Sequence, residues 1–361
     1  MKQNFLLLGA MALAGLFASC SQTEMEEPAN VPQKGNEVTV TVAPSADFTQ
    51  PRSRAESGQQ LRYIAELWEE DKTNSPATAT VMIARIEQVG DNANQFTFEI
   101  GQQGNYVILF WADYITTGAT TSKKTIKRES GENTFTVSFD GYSDNKFTTD
   151  GNTKSREGLQ GVSIKAFANE SKFYNNSDLD NAFCGKVAFT KETDIVSLGT
   201  ITLKRPLCKY IFKEKTDNLS RISQIKLQYL LFNPGYNVYT KKATGLGNFN
   251  ENGSGNFHYI DILNSSDKQL FSFYSFGEES ELTLCPTVSD GYIKFNFKLN
   301  NNDNGKKYKD VQISTSNIPC RANYIYTLSG SFVKEDLTGN TVSVDVTRDE
   351  VWSNDSREDL Q

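Results

Sequence analysis

Ile293-Lys294-Phe295-Asn296-Phe297-Lys298-Leu299 alternates apolar and polar residues without a break. Successive side chains of an extended chain point to opposite faces, so a period of two marks a strand with one apolar face. The same period recurs at Val38, Val40 and Val42, at Leu61, Tyr63, Ala65 and Leu67, and at Phe96, Phe98 and Ile100. It returns at Phe135, Val137 and Phe139, and at Ile225, Leu227, Tyr229 and Leu231. Between these runs lie turn formers such as Gly90-Asp91-Asn92 and the stretch Asn300 to Gly305. Asn and Asp side chains bond their own backbone there, and Gly reaches positive φ. No long stretch carries a capped helical stripe. The spacing predicts an all-β chain of antiparallel sandwiches, each strand having one side in a core.

Two cores are expected. Phe98, Val107, Leu109, Ile164, Val187 and Phe189 would fill the first, and Leu227, Tyr229, Phe271, Phe273, Phe295, Phe297 and Tyr326 the second. The boundary falls in the run Val196 to Phe212, which is broken only by Lys204-Arg205-Pro206. Proline cannot donate to a ladder, so Pro206 marks an edge, a bulge or a crossing between sheets. The expected domains are residues 36–203 and 204–361. Ahead of them, residues 21–35 hold two prolines and three glutamates with no periodicity, the composition of an extended tether.

The apolar run Phe5 to Phe17 follows a basic Lys2 and is shorter than the roughly 20 residues a membrane-crossing helix needs. It reads as a secretory signal. Leu16-Phe17-Ala18-Ser19-Cys20 resembles the bacterial lipoprotein signal, with Phe17 standing where that pattern takes Leu, Val or Ile. The resemblance implies a signal peptide at residues 1–19, a lipidated tether at residues 20–35, and acylation (palmitate or a similar chain) of Cys20. Glu24, Glu26 and Glu27 resemble the acidic signal that sends such lipoproteins to the outer face of the outer membrane. Several acyl chains would make the attachment effectively permanent.

Removing residues 1–19 takes away Lys2 and moves the formal charge from −7 to −8. An acidic chain without a basic stripe repels the phosphate backbone, which argues against a nucleic-acid partner. Cys184, Cys208, Cys285 and Cys320 remain, with no CxxC or Cys/His metal spacing. They are expected to be reduced. If they bridge, three full pairings are open. The sole histidine, His258, lies between aromatics, so hydrolytic triads have little to draw on. Thr244-Gly245-Leu246-Gly247-Asn248 lacks the following helix of a phosphate loop, and Asp150-Gly151-Asn152 lacks the spaced oxygens of a calcium loop. No catalytic residue, cofactor or metal is expected.

Leu61-Arg62-Tyr63, the run Tyr106 to Tyr114, Leu203 to Lys209 (LKRPLCK), Asn323 to Gly330 (NYIYTLSG) and Val351-Trp352 follow one another along the chain. Together, in that order, they resemble the fimbrillin superfamily of Bacteroides-type bacteria. The resemblance implies two tandem transthyretin-like sandwiches of Greek-key type, no enzymatic activity, and a role as subunit or anchor of a surface fimbrium that supports adhesion. Its partners would be other fimbrial subunits, copies of itself among them. It further implies a mechanism of assembly by strand exchange. Cleavage at Arg52 or Arg54 would release the first strand, and a neighbouring subunit would fill the groove with a donor strand. Here the donor would be Val342, Val344 and Val346, with Trp352 as a pocket filler.

A second reading, from a different class, is a surface lipoprotein that binds a glycan or host ligand, with Trp68 and Trp111 as a stacking platform. Exposed coplanar rings would favour that reading, and buried rings the fimbrial module. A hydrolase would instead show a strongly perturbed carboxylate in a cleft.

Overall fold

The alternating runs do form strands. The structure, a computed structural model, describes residues 36–44, 58–129, 133–143, 146–150, 157–165, 181–192, 196–217, 219, 222–245, 247–250, 258–261, 268–280, 282–284, 292–299, 311–315, 318–333 and 344–349. Strands in the first half are β1 (Glu37–Pro44), β2 (Gln59–Asp71), β3 (Thr78–Val89), β4 (Gln95–Glu99), β5 (Gly104–Thr116), β6 (Thr121–Arg128), β7 (Phe135–Tyr142), β8 (Phe147–Thr148), β9 (Val162–Ile164), β10 (Ala182–Lys191) and β11 (Val196–Leu203). After Pro206 come β12 (Leu207–Glu214), β13 (Ile222–Phe232), β14 (Gly235–Asn237), β15 (Lys242–Thr244), β16 (Gly247–Asn250), β17 (His258–Asp261) and β18 (Gln269–Phe276). The series ends with β19 (Leu282–Thr283), β20 (Tyr292–Leu299), β21 (Val311–Ser314), β22 (Pro319–Cys320), β23 (Ile325–Gly330) and β24 (Val344–Asp349).

One pair of sheets, β11-β1-β4 and β10-β5-β2-β3, shares a core of Val38, Val40, Val42, Tyr63, Phe96, Ile108 and Phe110 among others. A second pair, β18-β12-β23-β24 and β16-β13-β20-β21 with β17 also on β13, packs Phe212, Phe271 and Leu328 against Leu227, Phe295 and Ile313. Phe212 and Phe295 meet edge to face at 5.9 Å, a preferred aromatic geometry. The chain leaves β11 at Leu203 and enters β12, in a different sheet, at Leu207. Among the described strands two pairings depart from the antiparallel expectation: β1 runs parallel to β11 and β12 parallel to β23. Alternation specifies which face of a strand is buried and says nothing of its neighbour's direction.

The expectation that each strand has one solvent face fails for β2 and β5. Their central residues are buried on both faces. On the outer face of β10-β5-β2-β3 lie Ile64, Trp68, Val107, Leu109 and Trp111, in the same apolar cluster as the core of the second sheet pair. They are covered by the hairpin β6-β7 and by the sheet β15-β14-β9-β8. Trp68 meets Phe135 at 5.4 Å and Trp111 meets Phe147 at 5.3 Å, both edge to face. The covering sheet takes β8 and β9 from before Pro206 and β14 and β15 from after it, joined where Tyr236 pairs with Val162.

Phe98 and Phe189 therefore sit in the first core, with Val187 half-buried against it. Val107, Leu109 and Ile164 are buried in the other cluster, because they point to the opposite face. Leu227, Phe271, Phe273, Phe295 and Tyr326 are buried where expected, and the side chains of Tyr229 and Phe297 lie outside what is described.

Candidate functional site

The first strand is the element that the strand-exchange expectation turns on, and its sequence explains its placement. Glu37–Pro44 alternates threonine with valine, and β-branched side chains are stiff at χ1 and pack well on a pleated sheet. Val38, Val40 and Val42 are at most 2% exposed. Across the ladder Val38 faces Phe98 and Val40 faces Phe96 on β4, while Val42 faces Ile201 on β11. Both ends are latched: Ile100 N–H donates to Asn36 O at 2.8 Å, and Asn94 Nδ2 donates to Val42 O at 2.8 Å. Hence β1 is not an edge strand. It lies between two partners, so its removal would unpair β4 and β11 together and open an apolar trench between them.

The C-terminal strand is the opposite case. Among the described residues β24 pairs only with β23 and ends its sheet. Val344 packs partly against the core, and Val346 is 37% exposed. Arg348 lies over the Tyr324 ring at 5.4 Å, and Lys215 pairs with Asp345 on the surface. Of the residues picked out in the sequence, Cys20, Arg52, Arg54, Val342 and Trp352 lie outside the described residues, as does Cys285. His258 is in β17, its backbone opposite Leu227.

Trp68 and Trp111 are fully buried, so they form no stacking platform, and the glycan reading loses the residues it rested on. The buried thiols Cys208 and Cys320 stand 3.5 Å apart. Cys184 is also buried and free. Among the described residues, no cluster of three or more His, Cys, Asp or Glu could hold a metal, and no helix is long and apolar enough to cross a membrane.

Sequence reasoning missed one polar feature, a chain of buried charges on the outer face of β2, β3 and β5. Asp113 accepts a two-pronged contact from Arg62, at 2.8 Å from Nε and 2.7 Å from Nη2. Arg62 Nη1 reaches Glu87 Oε2 at 3.5 Å. Arg85 then bridges Glu87 at 2.6 Å and Glu66 at 2.5 Å. Burial pushes Glu66 above the ordinary carboxylate range, and Arg85 only partly offsets this. Burial would raise Glu87 too, but Arg85 and Arg62 together outweigh it and hold that carboxyl low. Glu66 is perturbed because it is sealed in, with Trp68 Nε1 and Leu159 N–H donating to its second oxygen. The signal was present: Arg62 and Glu66 share the face of β2 that alternation assigned to solvent.

The model of the family of unknown function DUF6562 matches residues 31–360. The chain belongs to that family. No curated protein matches this DUF6562 member. Solved structures similar to it include the tip fimbrial protein Mfa3 of Porphyromonas gingivalis, at 9% identity, TM-score 0.39, over 87% of this chain and 99% of that one. The fimbrial anchor protein Mfa2 of the same organism has 12% identity and TM-score 0.43, over 88% of this chain and 98% of that one. A fimbrial assembly protein from Parabacteroides distasonis has 12% identity and TM-score 0.37, over 88% and 99%. Those proteins are fimbrial. At these identities and TM-scores their roles do not carry over to this chain.

Proposed function

We propose that this DUF6562 chain is a non-enzymatic, lipid-anchored surface protein, a fimbrillin-like subunit or anchor that assembles by exchanging strands. The observation that carries the proposal is a match between its two ends. Val38, Val40 and Val42 fill a slot between β4 and β11. Val342, Val344 and Val346 repeat the same residue type at the same period near the C-terminus. Swapping valine for valine conserves volume, the kind of core exchange tolerated best. Burying three valines is worth about 1.5–3 kcal/mol each, so an emptied slot has a strong preference for being refilled. β24 is suited to leave, since among the described residues it is held on one side only and is mostly exposed. Extended-strand addition would then supply main-chain hydrogen bonds on both sides.

In this reading Cys20 carries the lipid, Arg52 and Arg54 lie in the loop where a protease would release β1, and adhesion at the outer membrane or in a fimbrium is the outcome. The experiment is cleavage with a trypsin-type protease, followed by unboiled gel electrophoresis. High-mass ladders are expected from the cut chain. Deleting residues 341–361, or changing Arg52 and Arg54 to Ala, should each abolish them while leaving the monomer folded. A cut chain that stays monomeric would overturn the exchange step. Changing Cys20 to Ser should release the protein from the membrane fraction, and retention there would overturn the anchor.

A further inference from the structure

A cavity of about 450 Å³ opens where the Lys204-Arg205-Pro206 link meets β10, the turn after β14 and the turn before β23. Five cationic residues line it, Lys186, Lys204, Arg205, Lys241 and Arg321, against one carboxylate, Glu279. The chain as a whole is acidic, at −7, so this is a local reversal of sign. A cleft lined by one sign of charge focuses its field on what enters it.

The charges are not evenly satisfied. Lys241 and Lys204 share a single oxygen, Glu279 Oε1, at 3.1 and 3.8 Å. Lys241 holds the Glu279 carboxyl below its ordinary range, so that group stays ionised. Lys186 is half-buried, with its Nζ 4.2 Å from the centre of the Tyr239 ring. Among the described residues no carboxylate lies within 4.0 Å of it. Glu70, whose charge acts on Lys186, accepts from the Tyr239 hydroxyl at 3.1 Å and stands 3.5 Å from Lys72. Burial pushes Lys186 down, as expected of a cation kept from water without a full partner.

Arg321 is the most directed group. Its Nε donates to the backbone oxygen of Glu279 at 2.8 Å, and its guanidinium carbon lies 4.8 Å from the centre of the Tyr324 ring. These two contacts fix the plane of the fork. Among the described residues neither Nη has a hydrogen-bond or ion-pair partner. A guanidinium held by its Nε and one face, with both Nη groups open, is arranged for two-pronged contact with a carboxylate or sulfate. Its volume is within the range of small-molecule sites, at the size of a sugar rather than a lone ion.

The geometry points to an oxyanion-binding pocket, with Arg321 as the fork, Lys186 as the second cation, and a carboxylate or sulfate on a sugar-sized molecule as the ligand. It does not depend on strand exchange, and no stacking tryptophan takes part. Isothermal titration of the purified chain with glucuronate, glucose 6-sulfate, neutral glucose and inorganic sulfate tests it. The acidic sugars should bind at least tenfold tighter than glucose, and their affinity should fall as salt is raised from 50 to 200 mM. Lys186→Gln and Arg321→Gln should each weaken binding at least fivefold without shifting the melting temperature. Lys123→Gln, at an exposed pair with Asp140, should change nothing. Inorganic sulfate binding as tightly as the sugar acids would support the oxyanion site with a free ion as its ligand. Glucose binding as well as glucuronate, no binding by any of the four, or wild-type affinity in both pocket variants would overturn the inference.

Discussion

Replacing Arg85 with Met tests whether the buried charges on β2 and β3 act as a unit. Arg85 donates to Glu66 at 2.5 Å, to Glu87 at 2.6 and 3.0 Å, and to both the carbonyl and the hydroxyl of Thr149 at 2.7 Å. Glu87 would keep Arg62 and the Tyr142 N–H. Glu66 would keep only neutral donors, Trp68 Nε1 and Leu159 N–H. Removing one partner of a buried pair typically costs 3–5 kcal/mol, because the other charge is left uncompensated. About that loss is expected at pH 8. The sign with pH follows from Glu66, whose folded value is already above its ordinary 4.5 and would rise further without Arg85. A carboxyl raised in the folded state favours folding while protonated, and that contribution is lost as pH climbs from 4.5 through the raised value. The variant should therefore be hurt less at pH 5 than at pH 8, by roughly 1–2 kcal/mol. Urea unfolding at both pH values measures this, and Arg85→Met with Glu66→Gln should recover most of the loss. A loss below about 1 kcal/mol at pH 8, or a larger loss at pH 5, would refute the account.

The two valine strands should differ in sensitivity. Val40→Ala, at 2% exposure, should cost about 2–3 kcal/mol in the same unfolding assay, whereas Val346→Ala, at 37%, should stay within about 0.5. Equal losses would mean that β24 is held as firmly as β1. Thiol access gives an independent check. Burial pushes Cys184 up to about 12 and Cys208 well above its ordinary range, and Cys320, which the Cys208 thiol beside it holds low, is 1% exposed, so none should react with iodoacetamide at pH 8 until urea is added. Alkylation of Cys208 or Cys320 in the native chain would show that the sheets part there.

What was legible in the sequence was whatever one strand settles alone. The valines of β1 and the phenylalanines of β4 carry their facing in their own spacing, and the core of the first sheet pair follows from them. What stayed hidden depends on partners far along the chain. Alternation at Leu61, Tyr63, Ala65 and Leu67 left Arg62 and Glu66 on a face that looked wet, and only the hairpin β6-β7 and the sheet β15-β14-β9-β8 make it dry. The parallel run of β1 beside β11 brings Val38 to Val196, a pairing no local pattern encodes. The cavity was hidden for the same reason: Lys186, Lys204, Lys241 and Arg321 come from four separate segments. The valines proposed as donors were visible as a pattern, and the edge position of β24 adds a reason why they could move.

Because β1 is flanked on both sides, it is also a mechanical element. Its ladder bonds to β4 run across the strand, so tension drawn along β1 from the N-terminal side loads them in shear. They have to yield together and cannot be peeled one by one. An edge strand such as β24, paired on one side, has only half as many bonds to share such a load. The same eight residues that close the first sheet would thus set how much pull the chain withstands before that sheet opens.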